Sequence, residues 1–471
     1  MGAFDTVILF AYLALMIGIG VYAQRRHQNV EDYFVAGRRM GPVTIACLWI
    51  AAWIGGAAVV GTSSRVYELG VTGVWYVLAQ AIGCLLFGLL VAARIKRLGD
   101  RHRHLTYPDF IEQHYDSRTR VVATITTILA FTAYSAGQLA AAAAILQVLL
   151  GWDYSMSLLL AGAIVIVYTA IGGYLAVTYT DWVQVALLLL GVVLVGIPVA
   201  VSQAGSWADM QAALPATHYD LGAQGWDRIA ALVVAMVLSF FVGMDSFSRC
   251  FAARDAASAR NGTLLASFLV LPLAVAATWL GLASAVLYPD HVGSAGILTT
   301  FVLDSFPVGL KGLMVIAILS AIMSTADICI LTASANYTRD IHQRYIQPDI
   351  TPRAMLRLGT LASAGAGLLA LLMAWKMRDI IDILQLGFTI NSAALFLPTI
   401  AAIYWDRVPA GAAFWSIGAS LATVIVWRVA ADAGLGGWFA IDPLWPGLLV
   451  SVVLLLALTA FGPRRVARAA A

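Results

Sequence analysis

The stretch Ser320-Ala-Ile-Met-Ser-Thr-Ala-Asp-Ile-Cys-Ile-Leu-Thr-Ala-Ser-Ala-Asn336, continued by Tyr337-Thr-Arg-Asp340, lies inside a long apolar helix and yet carries hydroxyls and a carboxylate. Ala321, Ser324 and Thr325 stand at i, i+3 and i+4, so they share one helix face. Asp327, three residues after Ser324, can turn toward the same side. Oxygen atoms gathered on one face at bilayer depth suit a hard monovalent cation better than lipid. Small residues and hydroxyls in this pattern also let two helices pack closely. The acid tilts the reading toward function, because an ionisable group inside a membrane is costly and marks a site by default.

The surrounding chain makes that depth credible. It has 471 residues, 61% of them hydrophobic and 11% charged, with a mean hydropathy of +0.87. A soluble chain carries about a quarter charged residues. The composition therefore defines an all-α polytopic membrane protein, with little room for a separate soluble domain. A net charge of +3 does not suggest nucleic acid as a partner. Cys47, Cys84, Cys250 and Cys329 fall in or beside apolar runs, show no paired metal spacing, and read as packing residues. Met1-Gly-Ala-Phe-Asp5 lacks a basic start and the first apolar run is long enough to span, so no cleavable signal is expected.

Windows of about 20 apolar residues predict thirteen spans, near 5–23, 43–63, 72–95, 119–150, 155–172, 180–201, 228–250, 262–287, 311–338, 354–375, 380–404, 409–430 and 443–462. With the N-terminus outside, 22 of the 28 Lys and Arg residues fall on the inner side. That asymmetry predicts a cytoplasmic C-terminus. Two long outer loops, near 202–227 and 288–310, have room for short surface helices or a lid. On the inner side, Tyr107-Pro108 reads as a helix start.

Several stretches carry candidate chemistry. In the second span, Trp53-Ile-Gly-Gly56-Ala57 places a glycine pair at mid-helix. An unwound turn there frees carbonyls for a cation; a small-residue packing groove is the alternative. Trp49 and Trp53 share a face that can line a cavity or pack in the core. The Gly172-Gly173 pair reads as the end of one helix, with Thr180-Asp181 starting the next. Asp181 is then either a helix cap or a carboxylate at the mouth of an ion path. Gly243 marks a second candidate break, and Asp245 and Arg249 are spaced to pair. Tyr134 with Gln138, and Gln385 with Thr389 and Asn391, are polar groups that either line a cavity or bond between helices. No phosphate-binding Gly-x-x-x-x-Gly-Lys-Ser/Thr motif, metal-ligand spacing or arginine ladder is present, which argues against an ATP-driven pump, a metalloenzyme and a voltage-gated channel.

Gly172-Gly-Tyr-Leu-Ala-Val-Thr-Tyr-Thr-Asp-Trp-Val-Gln184, Asp32-Tyr-Phe-Val-Ala-Gly-Arg38 and Ala321-Ile-Met-Ser-Thr325 together resemble the sodium:solute symporter family. The resemblance covers nearly the whole chain. It implies a single transporter domain over 1–471 with a LeuT-like 5+5 inverted-repeat core, over about 42–201 and 228–404, and flanking helices near 5–23, 409–430 and 443–462. Carried over by position, it implies a sodium site formed by the carbonyls of Ala51, Ile54 and Ala321 and the hydroxyls of Ser324 and Thr325. Asp181 matches the family's acid on the release path. Asp181 with Ser324 and Asp327 matches a second ion site of some members, although Asp327 could equally carry a proton or pair with a cation. The solute is expected among Trp53, Gly56, Ala57, Tyr134, Gln138, Gly243, Asp245 and Gln385. Ala57 stands where sugar-binding members have Gln, and Trp53 where proline-type members have Asp. Trp53-Ile-Gly-Gly and Met323-Ser-Thr-Ala-Asp327 are locally similar to choline-type members, but the tryptophan those members have near Gly243 is absent.

The expected function is sodium-coupled import of a small polar organic solute in the cell membrane, with Na+ as the coupling ion and no enzymatic role. A proton-coupled or uncoupled carrier, and a non-transporting sensor on the same fold, are the alternatives.

Overall fold

The computed structural model describes residues 2–24, 36–104, 106–291, 296–405 and 407–461. The lead-in residues 32–35, Arg25, Arg26 and the basic tail after 461 therefore lie outside the described residues.

The described chain is helical throughout. It comprises α1 (Ala3–Gln24), α2 (Pro42–Trp53), α3 (Thr62–Leu69), α4 (Trp75–Phe87), α5 (Ala93–His102), α6 (Tyr107–His114), α7 (Ser117–Leu150), α8 (Tyr154–Leu188), α9 (Ile197–Ala204) and α10 (Trp207–Ala213). There follow α11 (Trp226–Phe240), α12 (Met244–Ala252), α13 (Ala256–Leu287), α14 (Ile297–Ser305), α15 (Leu310–Ala335), α16 (Pro352–Lys376), α17 (Ile380–Tyr404), α18 (Ala410–Asp432) and α19 (Leu444–Phe461). Among the described residues nine helices are long and apolar enough to cross a membrane, ten if the bent pair α11–α12 is one span. Three shorter apolar helices, Phe4–Met16, Pro42–Trp53 and Tyr154–Ile166, add to these. The count of thirteen is thus not reproduced by length and hydropathy alone.

Layering follows depth in the bundle. The middle of α7 and of α15 is buried almost all round, as expected of helices enclosed by other helices. On α16, Leu361, Leu368, Leu369 and Leu372 face outward, exposed by more than half, as suits a lipid-facing surface. The loop elements expected on both sides are present. α10 and α14 are the short helices of the two long loops. α6 starts at Tyr107-Pro108 behind a capping box, in which Thr106 and Asp109 satisfy each other's backbone amides.

Two helices break where glycines interrupt them. α2 ends at Trp53, and Ile54 leaves the helical region at φ −90°, ψ 69°. After Gly55 and Gly56 the chain resumes through a wide turn at Ala57–Gly61 into α3. The second break separates α11 from α12, whose axes differ by 41°. Gly243 sits there at φ 96°, ψ 156°, a conformation that a side chain opposes. The two broken elements are also stitched together at one end. The Met40 amide donates to the Ala252 carbonyl (3.0 Å) and the Arg254 amide to the Met40 carbonyl (2.9 Å).

One expected boundary is corrected. The glycine pair at 172–173 does not end a helix, since Tyr154–Leu188 is helical throughout. Asp181 therefore sits inside α8 and is not its cap. Two glycines cost a helix about 1 kcal/mol each, less than the several kcal/mol of each backbone group left unpaired in hydrocarbon.

Candidate functional site

The opening stretch of α15 faces the break after α2. The Ser324 hydroxyl lies 2.8 Å from the Ala51 carbonyl and 3.1 Å from the Ala321 carbonyl, and the Thr325 hydroxyl lies 3.0 Å from Ala51. Four of the five expected sodium ligands thus converge, and all are buried. Ile54, the fifth, is the residue at which α2 leaves the helix. A group of neutral carbonyl and hydroxyl oxygens suits a hard monovalent cation, because each supplies a lone pair without a proton to displace.

Small residues are needed here for close approach. A Cβ on Gly55 would stand 2.5 Å from Gln138 Oε1 and 2.6 Å from Thr325 Oγ1. One on Gly56 would stand 2.6 Å from both Ala141 Cβ and Ile322 Cγ1. Gln138 spans the break, its Oε1 accepting from the Gly56 amide at 2.8 Å. Gln80 does the same from the other side, donating to the Trp53 carbonyl at 2.8 Å. The backbone groups freed by the break are thereby partly repaired, as membrane interiors require. Gly55→Ala is expected to abolish most transport while costing about 1–3 kcal/mol of stability. Uptake and thermal unfolding of the same preparation would check this; wild-type uptake by the variant would remove Gly55 from the site.

A cavity adjoins these oxygens. Trp53, Tyr134, Gln138 and Asp245, four of the residues expected around the solute, line it, together with Thr325, expected as a sodium ligand. Phe131, Phe388, Tyr76, Leu384, Ala52, Ile328 and Cys329 complete the wall. These last residues were not legible beforehand, since apolar side chains inside spans carry no mark of which face meets a cavity. The rings are tightly arranged. Trp53 stacks on Phe240 with centroids 3.7 Å apart and lies nearly parallel to Phe388 at 5.7 Å. The water-accessible space is about 20 Å³, room for about one water molecule. Tyr134 is held by Ser239 (2.9 Å) and Asn391 (3.2 Å).

Other expected residues fall elsewhere. Gln385 is not in the cavity: its amide donates to Asp442 at 3.0 Å, in the segment before α19. Gly56 and Ala57 belong to the helix break and Gly243 to the second one, and none of the three lines the cavity. Trp49 packs in the core between Phe87 and Phe240. Asp245 and Arg249 form the expected i, i+4 ion pair at 3.7 Å, and Arg249 also hydrogen-bonds the carbonyls of Leu48 (2.9 Å) and Asp245 (2.5 Å).

Asp327 turns to α8, where the Thr169 hydroxyl donates to its Oδ1 at 2.6 Å. Its Oδ2, and Oδ1 of the buried Asp181, meet no protein hydrogen-bond partner among the described residues. Asp181 lies within electrostatic reach of both Arg249 and Asp327.

Broken helices whose freed carbonyls face hydroxyls at mid-bundle, beside an aromatic cavity, define a helical secondary transporter. The sequence profile of the sodium:solute symporter family matches residues 33–419. The chain belongs to that family. It is 25% identical to the high-affinity proline transporter PutP of Bacillus subtilis (strain 168), covering 94% of this chain and 96% of that one. It is 26% identical to the sodium/pantothenate symporter of Escherichia coli (strain K12), covering 96% of each. A solved Na+-coupled sialic acid symporter, in a substrate-bound outward-open state, superposes with a TM-score of 0.82 at 21% identity over 98% of this chain and 99% of that one. The fold is therefore the LeuT-like one, and the protein is a multi-pass membrane transporter with sodium as the coupling ion of its family.

Proposed function

We propose that this protein imports a small polar organic solute together with sodium by alternating access. The observation that carries the reading is the meeting of the Ser324 and Thr325 hydroxyls with the Ala51 carbonyl at the break in the second span. In this reading sodium is held by the carbonyls of Ala51, Ile54 and Ala321 and by the two hydroxyls. Its binding ties α15 to the end of α2, and this fixes the wall of the adjoining cavity in the form that accepts solute. Residues about 42–201 and 228–404 are the two inverted repeats. The N-terminus lies outside and the C-terminus in the cytoplasm, the orientation favoured by the excess of Arg and Lys in the inner loops. Release on the inner side involves Asp181, a buried acid beside the path. As in its relatives, the role is transport and not catalysis.

Proline and pantothenate, the solutes named for the relatives, are first choices for assay. Uptake into proteoliposomes is expected to require an inward sodium gradient. Uptake that persists without sodium and collapses with a protonophore would replace sodium by the proton as coupling ion.

A further inference from the structure

The central cavity has an uneven distribution of charge. Asp245 is buried and lines it. None of the described residues lining it is Lys, Arg or His. The nearest cation, Arg249, is outside the wall. It lies over the Trp49 ring at 5.4 Å and points its donors at the Leu48 and Asp245 carbonyls. Its closest approach to the Asp245 carboxylate is 3.7 Å, beyond hydrogen-bonding distance. Three neutral polar groups of the wall are already engaged: Tyr134 with Ser239 and Asn391, Gln138 with the Gly56 amide, and Thr325 with Ala51. Asp245 thus presents the one formal charge among the described lining residues, beside five aromatic rings, those of Trp53, Tyr76, Phe131, Tyr134 and Phe388.

We propose that the solute carries a positively charged nitrogen, which sits against Asp245 among the rings of Trp53, Phe388, Phe131 and Tyr134. The inference deepens the symporter reading and rests on it. Aromatic faces attract a cation through their quadrupoles, more strongly when water is excluded. A carboxylate beside them adds a direct counter-charge in a medium that screens little. An anion lacking such a nitrogen would meet the Asp245 carboxylate first, since Arg249, which pairs with that carboxylate at 3.7 Å, does not line the cavity. A zwitterion qualifies through its nitrogen.

The test compares charge at constant shape. Purified full-length protein is heated in saturating sodium with choline, glycine betaine or L-proline, and in parallel with 3,3-dimethyl-1-butanol, the uncharged carbon analogue of choline, and with lactate. At least one of the three nitrogen compounds is expected to raise the unfolding midpoint with an apparent affinity tenfold or more above both nitrogen-free compounds. Asp245→Asn is expected to weaken that affinity at least tenfold while leaving the stabilisation by sodium alone intact, which also reports that the variant is folded. If Asp245→Asn does not fold, the wild-type comparison of choline with its carbon analogue still decides. Stabilisation by lactate or the butanol equal to that by the nitrogen compounds, or by none of the three nitrogen compounds, would overturn the proposal. So would unchanged affinity in folded Asp245→Asn. A protein that sodium stabilises in any of those cases keeps its reading as a symporter; a protein indifferent to sodium loses that reading instead.

Discussion

Replacing Ser324 and Thr325 together by alanine is expected to raise the sodium concentration for half-maximal uptake by about a hundredfold. Both hydroxyls converge on the Ala51 carbonyl, and a hydrogen-bonding or ligand oxygen facing a charge contributes about 1.5–3 kcal/mol. Each 1.4 kcal/mol is about a factor of ten in affinity. Two lost ligands would therefore exceed a hundredfold if nothing adjusted, and the remaining carbonyls offset part of that. The side effects can be separated. The substitutions also leave the buried Ala51 carbonyl without its two donors, which costs about 1–3 kcal/mol of stability before any sodium is added. The diagnostic quantity is therefore the sodium-induced rise in unfolding midpoint, not the midpoint itself. It should be nearly abolished in the double variant and partly kept in Thr325→Ser, which retains the oxygen. Unchanged sodium dependence in the double variant would place the ion elsewhere, with the pair of acids Asp181 and Asp327 next in line.

The parts of this protein that were legible in the sequence are those where local chemistry contradicts its surroundings. Hydroxyls in an apolar helix marked α15, a glycine pair inside an apolar run marked the break after Trp53, and the single Gly243 marked the second break. The same rule failed at Gly172-Gly173, where the helix continues. A glycine pair permits a break, and neighbouring groups decide whether one forms. At Gly55-Gly56, Gln138 and Gln80 reach across to hold the freed backbone. Contacts between distant segments were not legible. Nothing local pairs Asp327 with Thr169, 158 residues away. Nor could periodicity tell that Phe388 meets Trp53 while Gln385, three residues earlier, turns to Asp442.

The ion network around Arg120 is the strongest case of such a distant contact, and it yields a large expected effect. Arg120, near the start of α7, is 4% exposed. It contacts Asp109 at 3.0 Å, and also Glu112 and Asp340. Asp340, on the continuation of the α15 helix, is fully buried and also accepts from the Thr106 hydroxyl at 3.2 Å. One guanidinium thus joins α6, α7 and the end of the helix that carries Ser324 and Thr325. Arg120→Met is expected to destabilise the protein by about 3–5 kcal/mol, because it strands a buried carboxylate. The other two acids fare better: Glu112 keeps Arg344 at 3.0 Å and Asp109 keeps Arg339 at 3.7 Å. The cost should therefore centre on Asp340. Adding Asp340→Leu to Arg120→Met should recover most of the lost midpoint, since an apolar pair of similar volume replaces a buried ion pair at little net cost. A double variant as unstable as the single one would show that the arginine acts through Asp109 or Glu112 instead. If the double variant is stable yet transports slowly, the ion network has a second role, as a contact that must break and re-form when the end of α15 moves against α6 and α7.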